Sequence, residues 1–318
     1  MRYVRVFAPS HLHAGNLDLC GDMGRLYGTV GFTLEGPGIV VRVEESDILE
    51  SNDQHALQAL RTLRERFNLR GARVTVERSY PPYSGLGYVT GLYFAVAEGV
   101  SRLYGLGLRL EDVALAVRRG LVTALGLYAA KVGGFIVEGG FRKDMAEREV
   151  PPLIFRGDIP AHWLFIVALP YGPLPRIQRF RASSEDKALS EVREDCGLAS
   201  RLSRLVLMKM LPGFVEGDIK EFGESLTEFN RLLGLAWSSY QGGTYCCPLV
   251  EKGIEIMLKH AYGVAQSSWG PTFYGLTDDE REAERAASEI EELLKANGGG
   301  EVLITRGRNR GIEVVDYG

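Results

Sequence analysis

The sequence has little of what marks membrane, secreted or nucleic-acid-binding proteins. No apolar run reaches membrane-spanning length. The first residues, RYVRVFAP, alternate like a β-strand and lack the long apolar region of a signal peptide. The formal net charge is -4 at pH 7, whereas a general nucleic-acid binder needs a basic surface. We therefore expect a cytoplasmic protein that binds neither membranes nor nucleic acid.

Cysteine is scarce, and its spacing does not indicate a metal site. Of the four cysteines, Cys20 and Cys196 stand alone, while Cys246 and Cys247 are adjacent. Zinc ligands usually come in pairs separated by two to four residues, which neither arrangement provides. We expect buried or half-buried thiols in a reducing cytoplasm.

Length and composition fit a globular protein of one large or two smaller domains. The chain has 318 residues, of which 45% are hydrophobic and 25% charged. Residues 144–160, DMAEREVPPLIFRGDIP, are charged and interrupted by prolines, so we place a domain boundary there. The predicted domains are residues 1–155 and 156–318.

Strand and helix patterns occur in both predicted domains. In the first, strands precede, separate and follow helices, which indicates an α+β domain rather than a regular βαβ winding. One of its helices is predicted for LEDVALAVRRGLVTAL, residues 110–125. In the second, two strand–helix–strand passes end in GEVLITR and GIEVVDY, which we expect to pair antiparallel in a ferredoxin-like plait.

A glycine-rich turn leads directly into an apolar helix in PPYSGLGYVTGLYFAVAEGV, residues 81–100. Glycines at a helix start allow a ligand to approach the backbone closely, and a helix N-terminus attracts phosphate. A tight entry to a core helix would have the same sequence pattern. If the turn binds phosphate, the candidate residues are Ser84, Gly85, Leu86, Gly87 and Thr90.

Polar residues cluster in APSHLHAGNLDLCGDMGRLYGTVGFTLE, residues 8–35. His11 and His13 alternate on one face of the predicted strand, and Asp18 and Arg25 follow. Such a group can bind a metal, transfer protons or bind phosphate, although a lone strand histidine is usually a surface residue. The candidate catalytic residues are His13, Asp18 and Arg25.

Two other segments contribute candidates. In AQSSWGPTFYGL, residues 265–276, a turn requires the Gly-Pro pair but not the polar and aromatic residues before it. We interpret this segment as a ligand-facing edge formed by Gln266, Ser267, Ser268, Trp269 and Gly270. The basic loop PLPRIQRFRASSEDK is either a solvated loop or a phosphate-binding one. Its candidate residues are Arg176, Arg179 and Arg181.

Together these motifs resemble those of the GHMP kinases over essentially the whole chain. Ala8, Pro9 and Ser10 stand where that superfamily has A-P-G-[KR]. Residues 85–87 match its P-x-x-x-G-L-G-S-S-A motif, and residues 268–275 match its late glycine-rich turn. The resemblance implies a two-domain α+β fold with an N-terminal ribosomal-protein-like α/β domain and a C-terminal ferredoxin-like domain. It also implies that the turn at residues 85–87 binds diphosphate.

One branch of the superfamily is more similar, the β-ribofuranosylaminobenzene 5′-phosphate synthases of archaeal methanopterin biosynthesis. Its motifs R-L-H-x-G-L-L-D, G-R-x-Y-G-x-x-G, G-G-F-I-V-D-G-G and Q-S-x-W-G-P correspond to HLHAGNLD, GRLYGTVG, GGFIVEGG and QSSWGP. The resemblance implies that phosphoribosyl diphosphate reacts with 4-amino- or 4-hydroxybenzoate and that CO2 and diphosphate are released. A homodimer is also implied.

The same resemblance implies roles for individual residues. Asp18 would bind Mg²⁺ or stabilise a cationic sugar, and His13 would transfer a proton or contact the substrate. Arg25 would pair with a carboxylate or phosphate, and Tyr27 would contact the substrate. GHMP kinases generally have an aspartate base where this chain has Gly126, which favours the synthase. The alternatives are an ATP-dependent small-molecule kinase and a non-catalytic nucleotide-binding relative.

Overall fold

The computed structural model describes residues 2–146, 148–171 and 196–318, and its first sheet is built on a long hairpin. The two hairpin strands, β1 (Tyr3–Asp18) and β2 (Arg25–Glu44), pair antiparallel. The other strands of this sheet are β3 (Leu49–Ser51), β4 (Ala72–Arg78), β5 (Phe135–Glu138), β6 (Phe141–Arg142), β7 (Leu153–Gly157) and β12 (Glu313–Tyr317). The strand order is β12-β1-β2-β4-β3, while β5 and β6 pair with β2 and β7 pairs with β5.

Helices of the first half pack on this sheet or beside one another. They are α1 (Gln54–Phe67), α2 (Tyr88–Tyr104), α3 (Leu110–Val117) and α4 (Leu125–Lys131), and a 3₁₀ turn spans Lys143–Met145. α1 begins where the Asp53 carboxylate accepts the N–H of Ala56 at 2.9 Å. α2 is buried on most of its surface, with Phe94 and Val100 fully inaccessible, because it packs against both β1 and β2.

The second sheet is antiparallel throughout. Its strands are β8 (Leu164–Pro170), β9 (Gly263–Gln266), β10 (Phe273–Thr277) and β11 (Gly300–Arg306), in the order β11-β8-β10-β9. The helices of this half are α5 (Cys196–Leu205), α6 (Leu211–Glu216), α7 (Ile219–Ala236), α8 (Ser238–Gln241), α9 (Pro248–Met257) and α10 (Glu280–Ala296), with a π-helical turn at Val206–Met210 between α5 and α6. None of the helices in the described ranges is both long and apolar enough to cross a membrane.

An aromatic cluster joins the two sheets. The ring of Phe32 in β2 stacks on Phe135 at 5.2 Å between centroids. It also lies 5.3 Å from Phe165 and 5.9 Å from Phe222, both in the second half of the chain. All four rings are fully buried, and each buried aromatic side chain contributes a large hydrophobic area. The two halves therefore share one continuous core.

The last strand departs from the prediction. β12 pairs antiparallel with β1, where Val4 lies opposite Tyr317 and Phe7 opposite Glu313. β11 instead pairs with β8, so the expected antiparallel pair of β11 and β12 is wrong. β12 covers the edge of β1, whose backbone groups would otherwise lack partners. The end of the chain therefore belongs to the first sheet.

The helix predicted for residues 110–125 is interrupted. α3 ends at Val117 because Arg118 adopts a left-handed φ of 54°, and α4 begins only at Leu125. A second left-handed residue, Gly120 with a φ of 75°, turns the chain again. The segment between the two helices is therefore an irregular loop.

The cysteines also differ from the expectation of free thiols. Cys20 and Cys196 form a disulfide that joins residues 176 positions apart in the sequence. Cys246 is buried and Cys247 half-buried, and neither belongs to a disulfide. The expectation is therefore wrong for Cys20 and Cys196. Spacing along the chain could not reveal the pair, because the fold alone brings α5 to the end of β1.

Candidate active site

A cavity of about 380 Å³ lies between the two halves of the chain. Its walls come from β1, from the start of α2, from the loop between α3 and α4, from α7, and from the end of β9. Ligand sites are typically concave clefts of this size between structural units. The cavity is therefore the candidate active site.

The glycine-rich turn before α2 forms one side of this cavity. Three residues of the turn have positive φ values, namely Tyr83 at 61°, Gly85 at 102° and Gly87 at 77°. Glycine adopts such values without strain. Gly87 is the N-cap of α2, so the N–H groups of residues 88–90 have no partner within the helix. These residues line the cavity. The positive end of the α2 dipole therefore opens onto it and favours an anion there.

Hydrogen bonds hold this turn against the second half of the chain. Ser267 Oγ donates to the Gly85 carbonyl at 2.6 Å and accepts from the His13 N–H at 3.0 Å. The Thr272 N–H donates to the Ser84 carbonyl at 3.1 Å. A β-carbon on Gly85 would lie only 2.7 Å from the Ser267 carbonyl oxygen. The turn is thus fixed in place before any ligand binds.

His11 lies beside the same turn. β1 has irregular register on both sides of residues 11–13, and such bulges re-aim side chains. The imidazole packs against the α-carbons of Gly87 and Gly126, where added β-carbons would meet it. Burial, with a smaller effect from the charge of His13, lowers the pKa of His11 to about 4. His11 is therefore neutral near pH 7, and its position was not evident from the sequence.

Another part of the cavity is aromatic. The rings of Trp237 and Trp269 meet edge to face, with centroids 4.7 Å apart, and both residues line the cavity. Behind them, the Asn230 side chain pairs with the backbone of Gln266 through bonds of 2.9 and 3.0 Å. Gln266 Nε2 in turn donates to the Ser268 carbonyl at 2.9 Å. The amides therefore fix the loop that carries Trp269.

The loop between α3 and α4 supplies two arginines that the sequence analysis missed. Arg118 and Arg119 both line the cavity and are exposed to solvent. The Arg119 guanidinium lies over the ring of Tyr93, 5.8 Å from its centroid. The signal available in the sequence was the Arg-Arg-Gly triplet, because a glycine often follows the end of a helix and two adjacent arginines can share one anion.

The structure divides the predicted site residues into three groups. Those that line the cavity are His13, Gly85, Gly87, Thr90, Gln266, Ser268 and Trp269. Those that are described but do not line it are Asp18, Arg25, Tyr27, Ser84, Leu86, Ser267 and Gly270. Those outside the described residues are Arg176, Arg179 and Arg181.

Asp18 and Arg25, which were predicted to act together with His13, do not line this cavity among the described residues. Asp18 Oδ1 accepts the backbone N–H groups of residues 20 and 21 at 2.7 and 2.8 Å, which caps the turn after β1. Arg25 Nη1 donates to the Gly140 carbonyl at 2.9 Å. The ring of Tyr27 is buried in the core. Asp18 at the end of β1 and Arg25 and Tyr27 at the start of β2 lie beyond the part of β1 that lines the cavity.

The described cavity residues do not fit a magnesium ion held by the protein. Protein Mg²⁺ sites normally use one or two carboxylates together with substrate phosphates. Across residues 2–146, 148–171 and 196–318, no aspartate or glutamate lines the cavity. The predicted ligand, Asp18, lies elsewhere. The cavity instead has a positive character, from the α2 N-terminus and from Arg119.

Comparison with known proteins identifies the family of this chain. The GHMP kinases N terminal domain matches residues 54–133, and the GHMP kinases C terminal domain matches residues 210–296. A β-ribofuranosylphenol 5′-phosphate synthase of Methanothermobacter thermautotrophicus is 32% identical over 95% of this chain and 96% of its own length. One from Archaeoglobus fulgidus is 32% identical over 98% of this chain and 99% of its own. The chain belongs to this synthase family, within the GHMP superfamily.

Solved structures of GHMP enzymes share the fold of this synthase family member. Homoserine kinase from Cytophaga hutchinsonii superposes with a TM-score of 0.70 at 16% identity, over 98% of this chain and 97% of that one. At this identity the likeness concerns the fold alone, and it confirms the predicted two-domain α+β architecture. Gly126, which stands where GHMP kinases generally have an aspartate, packs against His11 and Thr90. The described cavity lining therefore offers no carboxylate base.

Proposed function

We propose that this protein condenses phosphoribosyl diphosphate with a 4-substituted benzoate and releases CO2 and diphosphate, as a glycosyltransferase of methanopterin biosynthesis in the cytoplasm. The observation that carries the proposal is the charge of the cavity. A helix N-terminus and two arginines face it, and no carboxylate lines it among the described residues. The archaeal relatives are named for a phenol product, which favours 4-hydroxybenzoate over 4-aminobenzoate.

The α2 N-terminus supports the leaving-group side of this reaction. Cleavage of the bond at the anomeric carbon leaves negative charge on the departing diphosphate. The N–H groups of residues 88–90 are fixed in direction by the helix and by the Ser267–Gly85 hydrogen bond. Donors that are already oriented stabilise a developing charge without reorganisation. Neutral His11 beside them can donate or accept a hydrogen bond without adding charge.

The aromatic part of the cavity supports the other half. The benzoate carbon that bears the carboxylate attacks the anomeric carbon, and a carbon–carbon bond forms. The bond to the carboxylate then breaks, and its electron pair restores the aromatic ring as CO2 leaves. No net proton is transferred, so no carboxylate base is required. Trp237 and Trp269 offer apolar aromatic surface for the substrate ring. His13 is the candidate for contact with the substrate or for transient proton transfer.

Magnesium belongs to the proposal only as a companion of the substrate. Because the described cavity residues offer no carboxylate, we expect Mg²⁺ to be held by phosphate oxygens and not by this chain. Calorimetry should then detect no Mg²⁺ binding at this cavity without phosphoribosyl diphosphate. Binding of Mg²⁺ to the free protein that is lost in Asp18→Asn would contradict this. A homodimer is proposed from the family resemblance, and light scattering of the purified protein tests it.

The reaction itself is tested with carboxyl-labelled benzoates. Purified protein is incubated with Mg²⁺, phosphoribosyl diphosphate, and labelled 4-hydroxybenzoate or 4-aminobenzoate. Release of labelled CO2 that requires both substrates supports the synthase, and the two benzoates reveal the preferred ring. Consumption of ATP with a panel of small metabolites, without CO2 release, would instead support a kinase. Absence of both activities in folded protein would favour a non-catalytic relative.

A further inference from the structure

The two cavity arginines are placed by the local backbone. The N–H groups of Arg118 and Arg119 both donate to the Ala114 carbonyl, the latter at 3.0 Å, which closes the end of α3. The left-handed φ values of Arg118 and Gly120 then direct the following residues along the cavity wall. Both arginines are therefore fixed to one end of a helix rather than carried on a long flexible loop.

Arg119 is further positioned by α2. Its guanidinium lies over the ring of Tyr93, a buried residue in the second turn of that helix. A cation over an aromatic face is attracted to the ring, but its charge is not neutralised. Within the described ranges of the chain, Arg119 forms no ion pair. It therefore presents a positive charge to the cavity.

The arginines and the α2 N-terminus are separate anion-attracting groups. Tyr93 is five residues beyond Tyr88, which corresponds to about 8 Å along the helix axis. The Arg119 guanidinium lies over a side chain of the second turn, whereas the N–H groups without helical partners belong to the first turn, so the two can bind different phosphate groups of one ligand. A ligand with phosphate groups at two of its ends can contact both. ATP has one polyphosphate chain, whereas a sugar with a diphosphate and a separate phosphate ester has two.

We propose that Arg118 and Arg119 bind a phosphate monoester, the 5′-phosphate of the sugar substrate, while the α2 N-terminus binds the diphosphate. The inference rests on the proposed function and specifies how its substrate is oriented. A planar guanidinium can make two parallel hydrogen bonds to one phosphate, and two adjacent guanidiniums can contact several of its oxygens. The sugar ring then lies between the two anion sites, and its anomeric carbon is on the side of α2.

Calorimetry with two partial ligands tests the assignment without turnover. Ribose 5-phosphate carries only the monoester, and inorganic diphosphate carries only the other group. We compare the wild type with Arg118→Ala, Arg119→Ala and Arg119→Lys. The matched control is Arg102→Ala, because Arg102 is exposed in α2, pairs with Glu98 at 2.7 Å and does not line this cavity. Melting temperatures confirm that each variant is folded.

The expected result is selective. Either alanine variant should weaken ribose 5-phosphate binding by about tenfold or more, and Arg119→Lys should lose less because it keeps the charge. Diphosphate binding should change by less than about threefold, because the substitutions alter only the electrostatic potential at the α2 N-terminus and remove no contact there. Arg102→Ala should match the wild type for both ligands. Equal loss for both ligands, or no loss for ribose 5-phosphate, would overturn the assignment. Ribose 5-phosphate binding that depends on Arg119 in a protein without synthase activity would refute the proposed reaction but not this site.

Discussion

The imidazole of His11 occupies the space that a side chain at Gly87 would need. A β-carbon added to Gly87 would overlap the His11 ring, and Gly87 is at once the N-cap of α2 and the end of the glycine-rich turn. The glycine was expected to admit a ligand to the backbone. Its first neighbour is instead a side chain of the same protein, and this changes what a substitution there would do.

Gly87→Ala should impair both folding and diphosphate binding. The left-handed φ of 77° costs an alanine about 1–2 kcal/mol, and the new methyl group must displace His11 from the start of α2. The control is Gly105→Ala at the other end of α2, where φ is 64° and a β-carbon would meet nothing within 4 Å. Denaturant titration and calorimetry with diphosphate compare the two variants. Equal stability losses, with unchanged diphosphate binding in both, would show that the His11 contact is unimportant.

Asp18→Ala should lower stability and leave turnover nearly intact. The carboxylate accepts two backbone N–H groups in the turn after β1, and the loss of such bonds to a charged group costs about 1–3 kcal/mol. The activity of the folded variant should stay within about threefold of the wild type, because Asp18 does not line the cavity. Asp22→Ala, an exposed position in the same turn, serves as the control. A hundredfold loss of turnover without a change in melting temperature would restore a catalytic role.

His11 should make the protein less stable in mild acid. Its folded pKa of about 4 lies below the ordinary value of 6.5, so between these values the unfolded chain binds a proton that the folded chain does not. The contribution of His11 to the free energy of unfolding should therefore fall by about 3 kcal/mol as the pH drops from 6.5 to 4. His11→Asn should lose this contribution. Urea titrations at several pH values measure the difference in slope, and identical slopes for the two proteins would contradict the burial of a neutral imidazole.

Glu138 should make the protein less stable as the pH rises, which is opposite to the effect of His11. Burial raises the pKa of this carboxyl to about 7 from 4.5, while its oxygens accept the N–H groups of Ala124 at 3.3 Å and Gly140 at 2.7 Å. The folded chain keeps its proton above pH 4.5 where the unfolded chain loses it. This contribution to stability is therefore full below pH 4.5 and decreases as the pH rises to 7, by about 3 kcal/mol.

The two opposing slopes overlap between pH 4.5 and 6.5, so single variants are needed to separate them. Glu138→Gln should make the free energy of unfolding rise more steeply with pH than in the wild type, whatever its absolute stability. The double variant with His11→Asn provides the control, since both contributions are then absent. A Glu138→Gln protein whose pH dependence matches the wild type would show that Glu138 is ionised normally.

The Cys20–Cys196 disulfide should stabilise the protein measurably. Its two cysteines are 176 positions apart, and a cross-link over a long loop typically contributes about 2–4 kcal/mol. Peptide mapping without reductant should recover the linked pair. Cys20→Ser should be destabilised relative to the wild type, and added reductant should lower the stability of the wild type but not of Cys20→Ser. Cys247→Ser is the control, because Cys247 is a free thiol. Peptides that are never linked, with equal stability of both proteins, would contradict the disulfide.

Much of the fold follows from local patterns in the sequence. The apolar spacing after Gly87 specified α2, and the glycines at residues 85 and 87 marked a turn that needs left-handed backbone. The alternation around His11 and His13 specified a strand, because β-strand side chains alternate between faces. The motifs at residues 11–18, 24–31 and 133–140 identified the family. Each of these signals lies within a few consecutive residues, where backbone sterics and side-chain periodicity act directly.

The arrangement of the site was decided by the tertiary structure. Asp18 is near His13 in sequence, but the strand carries it past the cavity to cap a turn. Arg119 is far from His13 in sequence, but the packing of α3 beside α2 brings both to one cavity. β12 leaves β11 to cover the edge of β1. Sequence spacing specifies the helices and strands. Contacts between distant residues depend instead on how the sheets and helices pack to share one core. That packing determines which polar groups surround the cavity.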